Sequence, residues 1–249
     1  MKKTPRLLYR YMDATTAWEC LEEGSLAFTP PARFNDPFDT NPALDFDISE
    51  EQLEILRQRR PSKRPFDPVK TMAAMRKTRH AFMHNTIGVA CFTSVKNGPL
   101  MWAHYGDKHK GVMLCFDSKH SALHGLRPVN YSRARPCVDS EGSNAGEALL
   151  VKSSVWKREK EWRLTAQLSQ CEVKMMSGLP VYIQRPNREC FVSITFGCRA
   201  DDAFIRAVAN GLRQWNMKHC RLRRLHLCEK TYSFKVRETM VEDLFQLKG

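Results

Sequence analysis

No run of about 18 apolar residues occurs in the chain, so nothing in it reads as a membrane-spanning helix. Its first residues, Met1-Lys2-Lys3-Thr4-Pro5, are basic but lack the apolar stretch of a secretory leader, so a cytoplasmic location is expected. There is no CxxC pair and no HExxH, which leaves the common zinc spacings unfilled. His219-Cys220 and His226-Cys228 fall in a strand-like stretch without ligand spacing. GxSxG, GxxxxGK[ST] and GxGxxG are missing too, so no hydrolase elbow, P-loop or dinucleotide fingerprint is present. No repeat and no obvious linker interrupts the 249 residues. One α+β domain over 1–249 is the economical reading, with a basic helical insertion at about 49–86. The nine cysteines cannot all pair, and most stand beside apolar residues, as in Ala90-Cys91-Phe92, so they read as small core residues of a reduced protein.

Positive charge is abundant. Forty Lys and Arg face 27 Asp and Glu, a formal net charge of +13. Residues 1–50 hold five basic and nine acidic side chains, whereas 51–100 hold ten and three. Two clusters stand out, Arg57-Gln58-Arg59-Arg60-Pro61-Ser62-Lys63-Arg64 and Arg221-Leu222-Arg223-Arg224. Such a field steers polyanions, so a nucleic acid or another large anion is a candidate partner. A merely soluble basic surface has the same composition.

Apolar runs and turn residues punctuate the chain. Strands are expected at Leu7–Tyr11, Ser25–Thr29, Thr86–Thr93, Gly111–Phe116, Arg127–Tyr131, from Trp162, at Val181–Ile183, Phe191–Gly197, Leu222–Leu227 and Thr231–Val236. Thr16 with Glu19 resembles a capping box before a helix over 15–23 that Gly24 ends. Ser49 with Gln52 does the same for a helix to about Arg60, and a longer helix fits 68–86. Pro99 opens a short helix to Tyr105, and 148–156 reads as another. Asp201 caps a helix over about 202–215 whose apolar face is Phe204, Ile205, Val208, Leu212 and Trp215.

Four segments carry candidate chemistry. They are Tyr9-Arg10-Tyr11; Phe28-Thr29-Pro30 with Phe34-Asn35-Asp36-Pro37-Phe38-Asp39; Met101-Trp102-Ala103-His104-Tyr105-Gly106-Asp107; and Trp156 through Arg163. On a strand Glu159 and Glu161 would project to one side, where mutual repulsion raises one pKa and makes a usable acid or base. Arg158, Lys160 and Arg163 would offset that, and a surface strand of alternating charges is the plainer reading. Trp102, His104 and Tyr105 form a polar-tipped aromatic group suited to a pocket wall or to a buried helix turn. Asn35-Asp36-Pro37 reads as a turn in which Asp36 bonds its own backbone.

In this order the segments resemble a large bacterial family filed as a domain of unknown function, number 2971. Its motifs run L-Y-[KHR]-Y, F-x-[ST]-P-x-x-F-N-D-P-F-[DE], C-F-[ST], W-A-H-Y-[AG]-D-x-H-K-G-[VI] and K-x-x-x-W-x-x-E-x-E-W-R, with a late I-x-F-G. The chain carries Leu8-Tyr9-Arg10-Tyr11, Phe28 through Asp39, Cys91-Phe92-Thr93-Ser94, Trp102 through Val112, Lys152 through Arg163 and Ile194-Thr195-Phe196-Gly197. The arrangement also looks similar to the ADP-ribosyltransferase fold. That resemblance implies a mixed or antiparallel split sheet with flanking helices, and NAD as substrate. It makes Glu161 the carboxylate on the ribose 2′-hydroxyl and Glu159 the group that orients or deprotonates the acceptor. Arg10, Tyr11, Thr29, Asn35, Asp36, Trp102, His104, Tyr105 and Arg163 would surround the cofactor, with no metal. It implies transfer to a nucleic-acid or protein acceptor, of toxin or phage-defence type. Two other classes stay open: a nucleic-acid-binding or sensor module without catalysis, and a metal-dependent nuclease using Asp36, Asp39 and Glu161.

Overall fold

A computed structural model describes residues 3–44, 51, 54–55, 58, 67–138, 144–176 and 178–239. Among them no helix is long and apolar enough to cross a membrane. The frame is an eight-stranded mixed sheet. Its strands are β1 (Leu7–Met12), β4 (Ile87–Thr93), β5 (Val112–Asp117), β6 (Arg127–Pro128), β10 (Glu161–Gln167), β13 (Phe191–Phe196), β14 (Arg221–Leu227) and β15 (Phe234–Thr239). They lie in the order β15-β14-β13-β5-β1-β4-β10-β6, and the β13–β14 pair is parallel. A smaller sheet joins β11 (Glu172–Met176), β12 (Leu179–Gln184) and β2 (Leu26–Phe28). Two short parallel pairs complete the strands, β3 (Ala43–Leu44) with β8 (Cys137–Val138) and β7 (Asn130–Ser132) with β9 (Val151–Ser153).

The large sheet is nearly divided at its middle. β1 pairs with β5 through six residues and β10 with β4 through seven, but β1 and β4 meet at a single pair, Tyr9 and Thr93. Two half-sheets therefore diverge from that pair, which opens space between their strands.

Strand alternation sorts the side chains of β1. Leu8 and Met12 face the main core, with Phe92, Leu114, Phe116, Phe191 and Ile194. Tyr9 and Tyr11 face the other way, into a smaller cluster with Trp102, Met113, Cys115 and Leu225. Two helices cover the main core. α1 (Ala14–Glu23) starts at Asp13, whose carboxylate accepts from Thr16 N at 2.8 Å, and ends at Gly24 with φ 60°. The cap is thus Asp13 rather than the expected Thr16–Glu19 box, while Gly24 stops the helix as expected, in the left-handed conformation glycine tolerates. Between α1 and β4 lies α2 (Pro68–Thr86), with the expected bounds. The expected helix at 49–60 falls largely outside the described residues; Glu51, Glu54, Ile55 and Gln58 are helical.

α3 (Pro99–Tyr105) stands against β1 on the sheet's other face, and α4 (Ala145–Ala148) is a single turn. α5 (Asp202–Gln214) begins at Asp201, which accepts from Ala203 N and Phe204 N, and buries Ile205, Val208, Ala209 and Leu212. Its far end stacks Trp215 edge-on against Trp18 of α1, with centroids 5.1 Å apart. Burying one such aliphatic or aromatic side chain contributes roughly 1.5–3 kcal/mol. All nine cysteines are described and free; Cys20, Cys115, Cys190 and Cys220 are buried, as small core residues are.

Candidate active site

The sequence over 148–156 departs most from expectation. In place of a helix it forms β9, then a 3-10 turn over Ser154–Glu159. Lys160 follows in the left-handed region at φ 46°, and β10 starts at Glu161. Glu159 and Glu161 therefore converge through a turn and one left-handed residue, not by strand alternation. Both are buried, so the surface-strand reading fails. The Thr93 hydroxyl donates to the Glu159 carbonyl, and Ser94 N donates to the Lys160 carbonyl, which ties this turn to the end of β4.

A five-member ion cluster lies at this point. Lys152, on β9, places its ammonium 2.6 Å from Glu159, 2.9 Å from Glu161 and 3.3 Å from Asp39. Arg163, on β10, bonds Glu161 through Nε at 2.7 Å, Asp39 through Nη2 at 2.7 and 2.8 Å, and the Leu149 carbonyl through Nη1 at 2.6 Å. Its side chain is 0% exposed. Such burial costs several kcal/mol per ion unless every charge is paired and hydrogen-bonded, and here it is.

Proton affinities follow the pairing. Burial alone would raise the Glu161 carboxyl, but Arg163 and Lys152 outweigh it and hold it down at about 2. Burial pulls the Lys152 ammonium down, and Glu161, Asp39 and Glu159 more than reverse that. The Arg163 guanidinium is likewise raised against its own desolvation. The expected mutual rise of two adjacent carboxyls is therefore absent at Glu161, because the cations sit closer than the carboxylates' repulsion requires. Burial, reinforced by Glu159, pushes the Tyr105 hydroxyl up, so it stays a donor to Glu159 Oε1 at 2.6 Å. Burial and then Glu161 raise the Cys91 thiol.

The Phe34–Asp39 turn frames the cluster residue by residue. The Arg163 guanidinium lies over the Phe34 ring at 5.7 Å. Asn35 lines the same cavity as Tyr105. Asp36 accepts from Phe38 N at 2.9 Å, the expected backbone bond, and from Trp156 Nε1 at 2.7 Å. The Lys152 ammonium lies 5.3 Å from the Trp156 ring.

A cavity of about 170 Å³ opens above the cluster where β1 and β4 part. Tyr9, Arg10 and Tyr11 line it from β1, and Cys91, Phe92 and Thr93 from β4. Phe34, Asn35, Asp39, Met101, Tyr105, Lys152, Glu159 and Glu161 complete it. Of the residues expected around a ligand, Arg10, Tyr11, Asn35, Tyr105, Glu159 and Glu161 are thus brought together. Arg10 also donates to the Ala27 carbonyl at 3.1 Å. Arg163 lies beneath the floor, and Asp36 braces Trp156 outside it. Thr29 is occupied in a backbone bridge with Val89 and does not line the cavity. Trp102 is fully buried behind Tyr11, centroids 5.0 Å apart, and His104 is exposed; neither is a wall. The Asp36, Asp39 and Glu161 carboxylates do not converge. Lys152 holds the space between the carboxylates, and among the described residues no group of three His, Cys, Asp or Glu is placed to hold a metal ion.

Sequence reasoning gave no individual role to Lys152, or to Tyr9, Phe34 and Trp156 within the segments it singled out. Lys152 and Trp156 stood in the quoted K-x-x-x-W-x-x-E-x-E-W-R motif, of which only the two glutamates and Arg163 were given roles. No family model, curated protein or solved structure matches the chain. The resemblances to the bacterial family and to the ADP-ribosyltransferase fold therefore rest on the quoted residues.

Proposed function

We propose that the chain is an NAD-dependent ADP-ribosyltransferase-like enzyme that works at this cavity. The observation that carries the reading is the parting of the sheet between β1 and β4, with Tyr9, Arg10 and Tyr11 lining the gap from β1 and a pair of glutamates across it. The volume suits one ring, not a dinucleotide, since drug-sized ligands fill roughly 300–1,000 Å³. The nicotinamide–ribose end belongs inside, against Tyr9, Tyr11 and Phe34, and the remainder outside.

Bonding capacity separates the two glutamates. Glu161 takes Arg163 twice and Lys152 once, three charged donors on its two oxygens. Among the described residues Glu159 takes Tyr105 and Lys152, one on each oxygen, and keeps room for a ligand hydroxyl. We therefore assign Glu159, not Glu161, to the developing positive charge on the ribose. The bond from ribose carbon to the pyridinium nitrogen breaks, and its electron pair leaves with neutral nicotinamide. The acceptor's nucleophile closes on the same carbon and gives up its proton. A carboxylate facing an oxocarbenium-like centre lowers that barrier, as in glycoside hydrolysis.

Incubation of wild-type and Glu159→Gln protein with NAD labelled in the nicotinamide ring tests this. Nicotinamide release by wild type is expected, with a loss of about 10²–10³-fold in the variant. No release by wild type, or equal release by both, overturns it.

A further inference from the structure

A second cavity lies on the same face of the same sheet. Directly opposed residues of neighbouring strands project to one face. One such row runs Glu161, Thr93, Tyr9, Cys115, Ser193 and Arg221, across β10, β4, β1, β5, β13 and β14. Its first three members line the candidate active cavity. Its last three line another, of about 430 Å³. Three strand spacings of about 4.8 Å separate Thr93 from Ser193, so the two cavities are centred about 14 Å apart.

This cavity has a different chemistry from the first. Arg6, Arg221, Arg223 and His219 line it, against Asp117 and Glu189. The three guanidiniums are not equally engaged. Arg223 bonds Glu238 at 2.8 Å and reaches the buried Ser193 hydroxyl at 3.4 Å. Arg6 stands 3.8 Å from Asp117 with its side chain 74% exposed, and such a surface pair is worth roughly 0–1 kcal/mol. Asp117 is also occupied locally, accepting from Lys119 N at 3.0 Å. The Arg221 side chain is exposed and, beyond a through-space pull on Glu238, makes no hydrogen bond or ion pair among the described residues. Two planar forks of N–H donors thus face the cavity with little to hold them. That fork matches a phosphate's paired oxygens. The two carboxylates make a cluster of bare phosphates a poor occupant and suit one phosphate carried on a sugar with hydroxyl donors. The volume lies within the range that houses such a unit.

We infer that this second cavity binds a backbone phosphate of a nucleic-acid strand. The strand then crosses the sheet face toward the parting of β1 and β4. Phosphate binding stands on the cavity's own residues; the strand's role as acceptor rests on the transferase reading.

Fluorescence anisotropy with a short labelled single-stranded oligonucleotide tests the inference. Wild-type affinity is expected to fall log-linearly with salt. Arg6→Ala and Arg221→Ala remove exposed side chains, so the fold survives. Each should weaken binding about tenfold and flatten the salt slope by about 0.7. Arg206→Ala, an equal loss of charge on the opposite side of the sheet, should leave binding unchanged. No oligonucleotide binding by wild type, or equal binding by the Arg6 and Arg221 variants, overturns the inference. So does inorganic phosphate binding as tightly as the oligonucleotide, which marks a small-anion site. Arginine-dependent binding without nicotinamide release sinks the transferase reading alone. Nicotinamide release with a protein acceptor and no oligonucleotide binding sinks this inference alone.

Discussion

Glu159 and Glu161 are two residues apart in sequence and opposite in bonding. Glu161 is held by two cations through three hydrogen bonds, so its first duty is to the fold. Its folded pKa of about 2 lies below the ordinary glutamate value of about 4.3. A depressed carboxyl contributes stability that is whole above the unfolded value and is lost as pH falls through the folded one. Urea midpoints should therefore drop between about pH 4.3 and pH 2, and Glu161→Gln should flatten that limb; an unchanged limb refutes the assignment. Arg163→Met leaves Asp39 and Glu161 buried with only Lys152 between them, and should cost about 3–5 kcal/mol in urea unfolding. Lys152→Met strips Glu159 of its cation, and the double variant Lys152→Met/Glu159→Gln should be more stable than Lys152→Met alone. Equal stabilities would mean the two side chains are not coupled. The sequence showed a run of charges here but not its burial. Alternating Lys, Arg and Glu over 157–163 looks like a solvated face, and only Trp156, Trp162 and Leu164 hinted otherwise. Lys157, Arg158 and Lys160 are indeed exposed, and what holds Arg163 inside is Asp39, more than 100 residues earlier, which no local pattern connects to it.

At the scale of elements, local signals served well where they were self-contained. Gly24, Pro99, Asp201 and the apolar run of β5 each carry their cause in a few residues, and α1, α3, α5 and β5 begin or end close to where those residues stand. The Lys152 strand did not, because β9 owes its extended form to parallel pairing with β7. The hairpin of β11 and β12 was half legible, since Glu172–Met176 is short and turns its apolar Val173 and Met175 outward rather than into a core. Two glycines in the quoted motifs have a steric cause visible only in the assembled fold. The chain at Asp107, Lys108 and His109 runs through three left-handed residues, at φ 45°, 51° and 72°. This turn is stitched to the end of β13: Gly197 N donates to the Gly111 carbonyl and Arg199 N to the His109 carbonyl, both at 3.0 Å. A Cβ at Gly197 would overlap the His109 carbonyl oxygen, and one at Gly111 the Met12 carbonyl oxygen. Gly197→Ala should then lower stability by about 1–3 kcal/mol, whereas Gly146→Ala, whose Cβ meets open space, should not. Equal melting temperatures for the two variants would show that the turn yields freely.

For the whole molecule, charge is the property that composition announced and the fold redistributed. The chain carries a net charge of +13, while the ion pairs of Lys152 and Arg163 are sealed beneath the cavity. Salt acts on these two populations differently. It screens like-charge repulsion across the surface within a Debye length of about 10 Å at 0.1 M, and it hardly reaches the buried cluster. Surface pairs such as Arg223–Glu238 and Arg185–Glu172 also lose strength, but each is worth little. Repulsion summed over an excess of 13 charges should outweigh those few pairs. Raising NaCl from about 0.02 M to about 0.2 M should therefore raise the melting temperature, and the Arg163→Met protein should rise by a similar amount from its lower start. A melting temperature that falls with salt would mean that exposed ion pairs dominate the electrostatics. The same addition of salt should weaken oligonucleotide binding while it strengthens the fold. Opposite responses in one titration separate a basic surface that serves a polyanion from one that merely keeps the chain in solution.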